Sequence, residues 1–88
     1  MVISDAAHQR KAISPEIAFG RVLRTLRQAR SISQDELGAK SGYHRTYIGQ
    51  LERGEKSPSL RTIFNLAAVL KVAPSSIIRQ VERSIANA

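Results

Sequence analysis

The sequence contains no cysteine and no tryptophan, and only one methionine. Without cysteine it can form neither a disulfide framework nor a thiolate metal site, and His8 and His44 have no partners at metal-ligand spacing. No apolar run approaches the roughly 20 residues that cross a bilayer. The N-terminus has no apolar h-region of a secretory signal. We therefore expect no metal, no cofactor, no membrane partner and a cytoplasmic location.

Aromatic side chains are also scarce, since Phe19, Phe64, Tyr43 and Tyr47 are the complete set. Leucine, isoleucine, valine and alanine must therefore fill the core, which suits a helical bundle better than a β-sandwich. A chain of 88 residues is long enough for one domain with a single hydrophobic core.

Positive charge is abundant, with 14 Lys and Arg against seven Asp and Glu and a net charge of +7. Domains this basic usually bind a polyanion, either nucleic acid or an acidic membrane surface. The charge alone favours nucleic acid without deciding between the two.

Capping signals mark the starts of the first three helices. Ser14-Pro15-Glu16 is typical of a helix start, and apolar spacing continues that helix to about Arg30. Ser33 and Glu36 form a capping box that begins a second helix over 34–41, ending at Gly42. A third helix begins after His44 and ends before Gly54.

Two further helices complete an all-α, five-helix bundle. Ser59 caps the fourth, whose predicted core face is Leu60, Ile63, Phe64, Ala67 and Leu70. Pro74 opens the fifth. The domain is expected over 14–84, between a flexible N-terminal arm over 1–13 and a tail over 85–88.

The third helix divides into two faces on a helical wheel. Ile48 and Leu51 lie within about 60° of each other and must point inward. The opposite face spans an arc of about 140° and carries Arg45, Thr46, Gly49, Gln50 and Arg53. A glycine inside an exposed helix costs about 1 kcal/mol relative to alanine, so this face is predicted to approach another surface closely.

The sequence resembles the Cro/repressor-type (XRE family) helix-turn-helix regulators in five short segments that occur in the same order and spacing. These segments are QDELG (34–38), SG (41–42), YI (47–48), LERG (51–54) and PSL (58–60). The stretch RTYIGQLERGEKSPSL is particularly similar to the controller proteins of restriction–modification systems. The resemblance covers about residues 17–80. Two departures are Gly38, where the family usually has alanine, and Ser31, where many members carry glycine.

The resemblance implies a lambda-repressor-like fold whose helix over about 45–53 lies in the major groove of double-stranded DNA. Arg45 would contact guanine, and Thr46 and Gln50 would read adjacent bases. Phosphate contacts are expected at Gln34, Arg53, Lys56 and Ser57. His44 is a helix cap or a phosphate contact, and Tyr47 packs or contacts phosphate; both alternatives stay open.

Arg27 and Glu52 flank apolar faces and match family positions that form a partly buried ion pair. Their predicted role is structural. Asp35 and Glu36 belong to the capping of the second helix and do not form an acid/base couple. No arrangement of residues indicates catalysis, so an enzyme is not expected.

A homodimer on a palindromic operator is the expected assembly. Apolar residues outside the predicted core face of the last two helices form the candidate interface: Leu66, Val69, Ile78, Val81 and Ile85. Such a dimer would set two recognition helices roughly 34 Å apart, one DNA turn.

Two rival functions remain open. An antitoxin-like module would mask a partner protein and bind DNA secondarily, although little chain is spare for that partner. A membrane-surface helix fits poorly, because the basic residues are spread over several helices. RNA polymerase is a candidate further partner, and no small-molecule ligand is expected.

Overall fold

The computed structural model describes residues 13–88. Its five helices are α1 (Pro15–Ala29), α2 (Gln34–Ser41), α3 (Arg45–Glu52), α4 (Leu60–Leu70) and α5 (Pro74–Ala86). The all-α, five-helix prediction is confirmed for this part of the chain. The predicted arm lies outside it except for Ile13, which packs against the core. The predicted tail is shorter than expected, because α5 continues to Ala86.

Serine side chains begin three of the helices. The hydroxyls of Ser14, Ser33 and Ser59 accept hydrogen bonds from the backbone N–H groups of Ile17, Glu36 and Thr62, respectively. Each serine satisfies a donor that has no partner inside its helix. At Ser33, Glu36 does not complete the predicted capping box, and its carboxylate pairs instead with Lys40 at 3.1 Å.

The turn between α1 and α2 contains Ser31 in the left-handed conformation, with φ of 57°. This backbone geometry accounts for the glycine that the resemblance leads one to expect there, because a side chain is unfavourable at positive φ. The Arg27 guanidinium donates to the Ile32 carbonyl at 2.9 Å and so closes the turn.

The core is aliphatic apart from Phe19 and draws on all five helices. Leu37, Ile48 and Leu51 are fully buried and pack α2 against α3, as the sequence predicts. Around them lie Ala18, Phe19, Val22, Leu23, Leu66, Ala67, Leu70, Ile77 and Val81.

Gly20 brings α1 into direct contact with the end of α3. A Cβ at this position would lie 2.4 Å from the Leu51 carbonyl oxygen and 2.5 Å from that of Glu52. Any larger residue would push the two helices apart. Gly20 therefore helps to fix the orientation of α3 relative to the rest of the bundle.

The orientation of α4 differs from the prediction. Leu60 and Phe64 are 72% and 54% exposed, whereas Leu66 and Thr62 are buried. Relative to the predicted orientation, α4 is rotated so that Thr62 faces the core. There the Thr62 hydroxyl forms hydrogen bonds with the hydroxyls of Tyr43 and Tyr47. The prediction that Leu66 lies at an interface is therefore wrong, since its side chain is inside the monomer.

Within α5, Ile77 is fully buried and Val81 is only 8% exposed, so Val81 belongs to the core more than to any interface. Ile78 is 44% exposed, while Val69 of α4 and Ile85 are half-buried.

Across residues 13–88, no individual helix has the length and apolar content to span a membrane. The pair α4 and α5 meets such a criterion only when the two helices are joined across a 105° bend.

Candidate nucleic-acid interface

The helix pair α2–α3 is held by a tight turn at Gly42. This residue has φ of 86°, in the left-handed region that favours glycine. The Tyr43 N–H donates to the Gly38 carbonyl at 2.8 Å, and α3 starts two residues later. The turn sets the two short helices at a fixed angle and leaves one side of α3 facing solvent.

Five residues from the predicted DNA-binding set surround one open depression on that side. They are Gln34, Arg45, Thr46, Gly49 and Arg53. Two arginines and a threonine hydroxyl supply hydrogen-bond donors around a glycine floor. This surface combines positive charge with hydrogen-bond donors, as contact with a nucleic acid requires.

Gly49 lies at the floor of the depression and is buried, because neighbouring side chains occupy the space above it. A Cβ on Gly49 would lie 3.0 Å from Arg53 Nη1 and 3.6 Å from Gln34 Oε1. The missing side chain thus lets Arg53 lie across the helix.

Beneath the depression, a buried polar cluster joins α1, α2 and α3. Arg27 donates to Glu52 through Nε at 2.6 Å and through Nη2 at 3.0 Å. Gln34 Nε2 donates to Glu52 Oε1 at 3.0 Å. The hydrogen bond to Glu52 raises the pKa of Arg27 above its usual value. Since a carboxylate only accepts, Gln34 must point its amide nitrogen at Glu52 and its oxygen toward Gly49.

His44 caps α3 through its side chain. Its Nδ1 accepts from the Thr46 N–H at 3.0 Å. In the neutral ring, the proton must then be on Nε2, which is left as a donor.

Tyr47 does not belong to the depression and turns toward α4. Its ring lies against Tyr43, with centroids 5.2 Å apart. Its hydroxyl is 3.4 Å from Thr62 Oγ1. Tyr43 donates to the same Thr62 oxygen at 3.1 Å and accepts from Asn65 at 3.0 Å.

The structure does not bring the other predicted contacts into the lining of the depression. Gln50 is half-buried on α3, and Lys56 and Ser57 are exposed in the loop that follows. Ser57 also lines a cleft with Pro15 and Phe19, on the side of the N-terminal end of α1.

Sequence reasoning missed two residues of this region. Thr62 is a buried polar residue four positions before Leu66. Its position three residues after the Ser59 cap was the sequence feature that could have identified it. Glu55 pairs with Arg53 at 2.6 Å, and no periodic pattern marks a loop residue of this kind.

The helix-turn-helix family profile HTH_3 matches residues 23–77 of the chain. The chain belongs to the helix-turn-helix family. This membership confirms the resemblance found in the sequence.

Among similar helix-turn-helix proteins is the control protein C.SmaI of Serratia marcescens. It is 41% identical over 59 residues, which cover 66% of this chain and 70% of that protein. The restriction–modification controller protein C.AhdI from Aeromonas hydrophila has a similar crystal structure, with a TM-score of 0.68 and 41% identity. That match covers 69% of this chain and 92% of C.AhdI.

The controller C.Esp1396I, solved as a tetramer with its natural 35 base-pair operator, matches with a TM-score of 0.74. The match covers 83% of this chain and 96% of the C.Esp1396I chain. At 20% identity, it shows only that the two proteins share a fold.

Proposed function

We propose that the protein is a sequence-specific DNA-binding transcriptional regulator that binds a palindromic operator as a homodimer. The observation that carries this proposal is the donor-lined depression around Gly49, on the exposed side of the helix that follows the α2–α3 turn. In the major groove, such a face presents arginine and hydroxyl donors to base edges and phosphates.

Base reading is assigned to the N-terminal half of α3. Arg45 and Thr46 are exposed at its first turn. Arg45 can donate two hydrogen bonds to guanine O6 and N7. Thr46 and Gln50 are assigned to neighbouring base pairs. Gly49 is buried beneath Arg53, so its assigned role is to leave room for that side chain on the DNA-binding face.

Phosphate contacts are assigned to Gln34 and Arg53 of the depression and to residues that flank α3 in the sequence. Arg53 and Lys56 supply charge after α3, and Ser57 supplies a hydroxyl. His44 is exposed and contributes its Nε2–H, because its Nδ1 is used to cap α3. Gln34 contributes its second amide hydrogen at the start of α2, where the helix dipole also favours an anion.

Tyr47 is assigned both of its open roles, packing through its ring and phosphate contact through its hydroxyl. Ser59 and Tyr43 each donate to Thr62 Oγ1, at 3.0 and 3.1 Å. These bonds fill both lone pairs of that oxygen, so the Thr62 proton is directed to Tyr47. Tyr47 then accepts and keeps its own proton for a phosphate.

The homodimer is proposed on the exposed apolar side chains of the last two helices. Leu60 and Phe64 of α4 and Ile78 of α5 are the large ones, and Ile85 of α5 is half-buried. Val69 lies on another side of α4, beside Ala29 and Ile32, and is not part of this surface. An isolated monomer would leave this apolar area in water, which usually marks an interface.

The regulator subtype is proposed to be a restriction–modification controller acting in the cytoplasm, because C.SmaI and C.AhdI carry such names. Contact with RNA polymerase is part of the same proposal, and no catalytic step is. Restriction-enzyme and methyltransferase genes beside this one would support the subtype.

Selection of duplexes from a random-sequence library tests the function directly. We expect the protein to enrich one sequence with two inverted half-sites whose centres are about one DNA turn apart. Enrichment of no sequence, with tight capture of a protein encoded beside it, would favour the antitoxin-like alternative.

A further inference from the structure

An acidic side chain lies at the edge of the proposed DNA-binding surface and contacts one of its arginines. Arg53 Nε donates to Glu55 Oε2 at 2.6 Å, and Arg53 Nη2 lies 3.4 Å from Oε1. The Glu55 backbone is itself attached to α3, because its N–H donates to the Gln50 carbonyl at 2.9 Å. Between the two residues, Gly54 turns the chain with φ of 73°.

The ion pair uses only one edge of the guanidinium. Arginine has five N–H donors, and the pair engages Nε and one hydrogen of Nη2. Nη1 lies over Gly49, 3.0 Å from the position a Cβ would take there. The second edge, formed by Nη1 and the other Nη2 hydrogen, therefore remains for a ligand on the depression side.

We propose that Glu55 is a positioning residue for DNA binding, which holds Arg53 across Gly49 so that the free guanidinium edge meets an operator phosphate. This inference rests on the proposed function. A long side chain that is already oriented loses less conformational freedom when it binds. The same carboxylate forms no contact with the DNA itself.

Neutralising Glu55 has two effects on DNA affinity, and they have opposite signs. A carboxylate beside DNA repels phosphates, so simple electrostatics predicts tighter binding when Glu55 becomes neutral. The hydrogen bond from Arg53 lowers the pKa of Glu55, so this repulsion is present at neutral pH. Positioning predicts the opposite for the operator, because neutral Glu55 no longer orients Arg53.

The test measures fluorescence anisotropy with two duplexes of equal length and composition. One is the duplex that the wild-type protein selects from a random library, and the other is its scrambled sequence. We expect Glu55→Gln to weaken binding of the selected duplex about two- to fivefold per protomer, the range for an exposed ion pair. Binding of the scrambled duplex should stay equal or become tighter.

Two further variants isolate the pair. In an Arg53→Ala background, Glu55→Gln should no longer weaken the selected duplex, because only repulsion remains to be removed. Glu82→Gln on α5 makes the same charge change at an exposed residue away from α3 and should leave the ratio of the two affinities unchanged. The melting temperature of Glu55→Gln should match that of the wild type, since both partners are more than half exposed.

Each contrary result overturns the inference. Tighter binding of both duplexes by Glu55→Gln would mean plain repulsion, and equal weakening in the Arg53→Ala background would mean that Glu55 acts elsewhere. A lowered melting temperature would mean a role in folding. If the wild-type protein selects no sequence, the proposed function fails and this inference with it; in the other cases only the role of Glu55 fails.

Discussion

The hydroxyl oxygens of Tyr47 and Thr62 lie 3.4 Å apart, which joins the exposed helix α3 to the buried face of α4. Tyr43 reaches the same threonine from the turn that precedes α3. The two tyrosines thus share a partner but differ in what else they can do. Tyr43 is committed within the protein, whereas Tyr47 retains a donor.

Replacing Tyr47 with phenylalanine should weaken DNA binding by about 1.5–3 kcal/mol, the value of a hydrogen bond to a charged group. The effect of this substitution on stability should be small. Ser59 is exposed, so it can donate its proton to water and accept the Thr62 hydrogen bond that Tyr47 no longer accepts. Tyr43→Phe is the matched control, and it should lower the free energy of unfolding by about 1 kcal/mol with little effect on affinity. Urea titration and anisotropy measure the two quantities. The reverse pattern would exchange the roles of the tyrosines.

Arg45→Ala should cost about 1–3 kcal/mol on the selected operator and relax the preference at one base pair of each half-site. Lys56→Ala is the control for charge. It should weaken all duplexes alike and make the slope of log affinity against log salt shallower by about one unit per lost contact. Equal losses for Arg45→Ala on operator and scrambled DNA would make Arg45 a phosphate contact.

Glu52→Ala should be strongly destabilising. It leaves Arg27, whose side chain is only 12% exposed, without its carboxylate partner, at an expected cost of about 3–5 kcal/mol. Glu36→Ala breaks the exposed pair with Lys40 and should cost less than about 1 kcal/mol. Chemical denaturation gives both values, and similar losses for the two variants would mean that burial contributes nothing at Glu52.

The wild-type protein should sediment as a dimer at micromolar concentration. Phe64→Glu or Ile78→Glu should convert it to a monomer with unchanged helix content, because both side chains are about half exposed. Ala39→Glu adds the same charge at an exposed position of α2, away from α4 and α5, and should leave the dimer intact. Analytical ultracentrifugation decides the matter, and a wild-type monomer at tens of micromolar would contradict the proposed assembly.

Ser31→Gly should stabilise the fold by about 0.5–1 kcal/mol, because it removes a side chain from a residue at positive φ. The same type of change at Ala39, an exposed residue within α2, should cost about 1 kcal/mol. Thermal unfolding compares the two. A destabilised Ser31→Gly variant would show that the serine side chain contributes more than its backbone conformation costs.

Local signals predicted most helix boundaries and the grouping on α3. A serine cap or a turn glycine acts within a few residues, so Ser33 and Gly42 define α2 without reference to the rest of the chain. The two faces of α3 follow in the same way from helical geometry, because its inward positions carry only Ile48 and Leu51 as large aliphatic side chains.

The orientation of α4 could not be predicted so simply. Apolar side chains lie on both sides of this helix, from Leu60 to Leu70, so its wheel has no single solution. The choice depends on Thr62, which can be buried only because tyrosines from another part of the chain bond to it. The Arg53–Glu55 contact could not be predicted either, because it depends on the side-chain conformations of two residues at the end of α3 and in the loop that follows.

The cluster of Arg27, Gln34 and Glu52 takes one side chain from each of the first three helices. Opening α1 or α3 would leave one charge of the Arg27–Glu52 pair without its partner, and opening α2 would remove the hydrogen bond that Glu52 accepts from Gln34. Amide protons of α1, α2 and α3 should therefore exchange with solvent as one cooperative unit, instead of fraying separately as eight-residue helices otherwise do. The proposed DNA-binding surface should then persist for as long as the domain itself is folded.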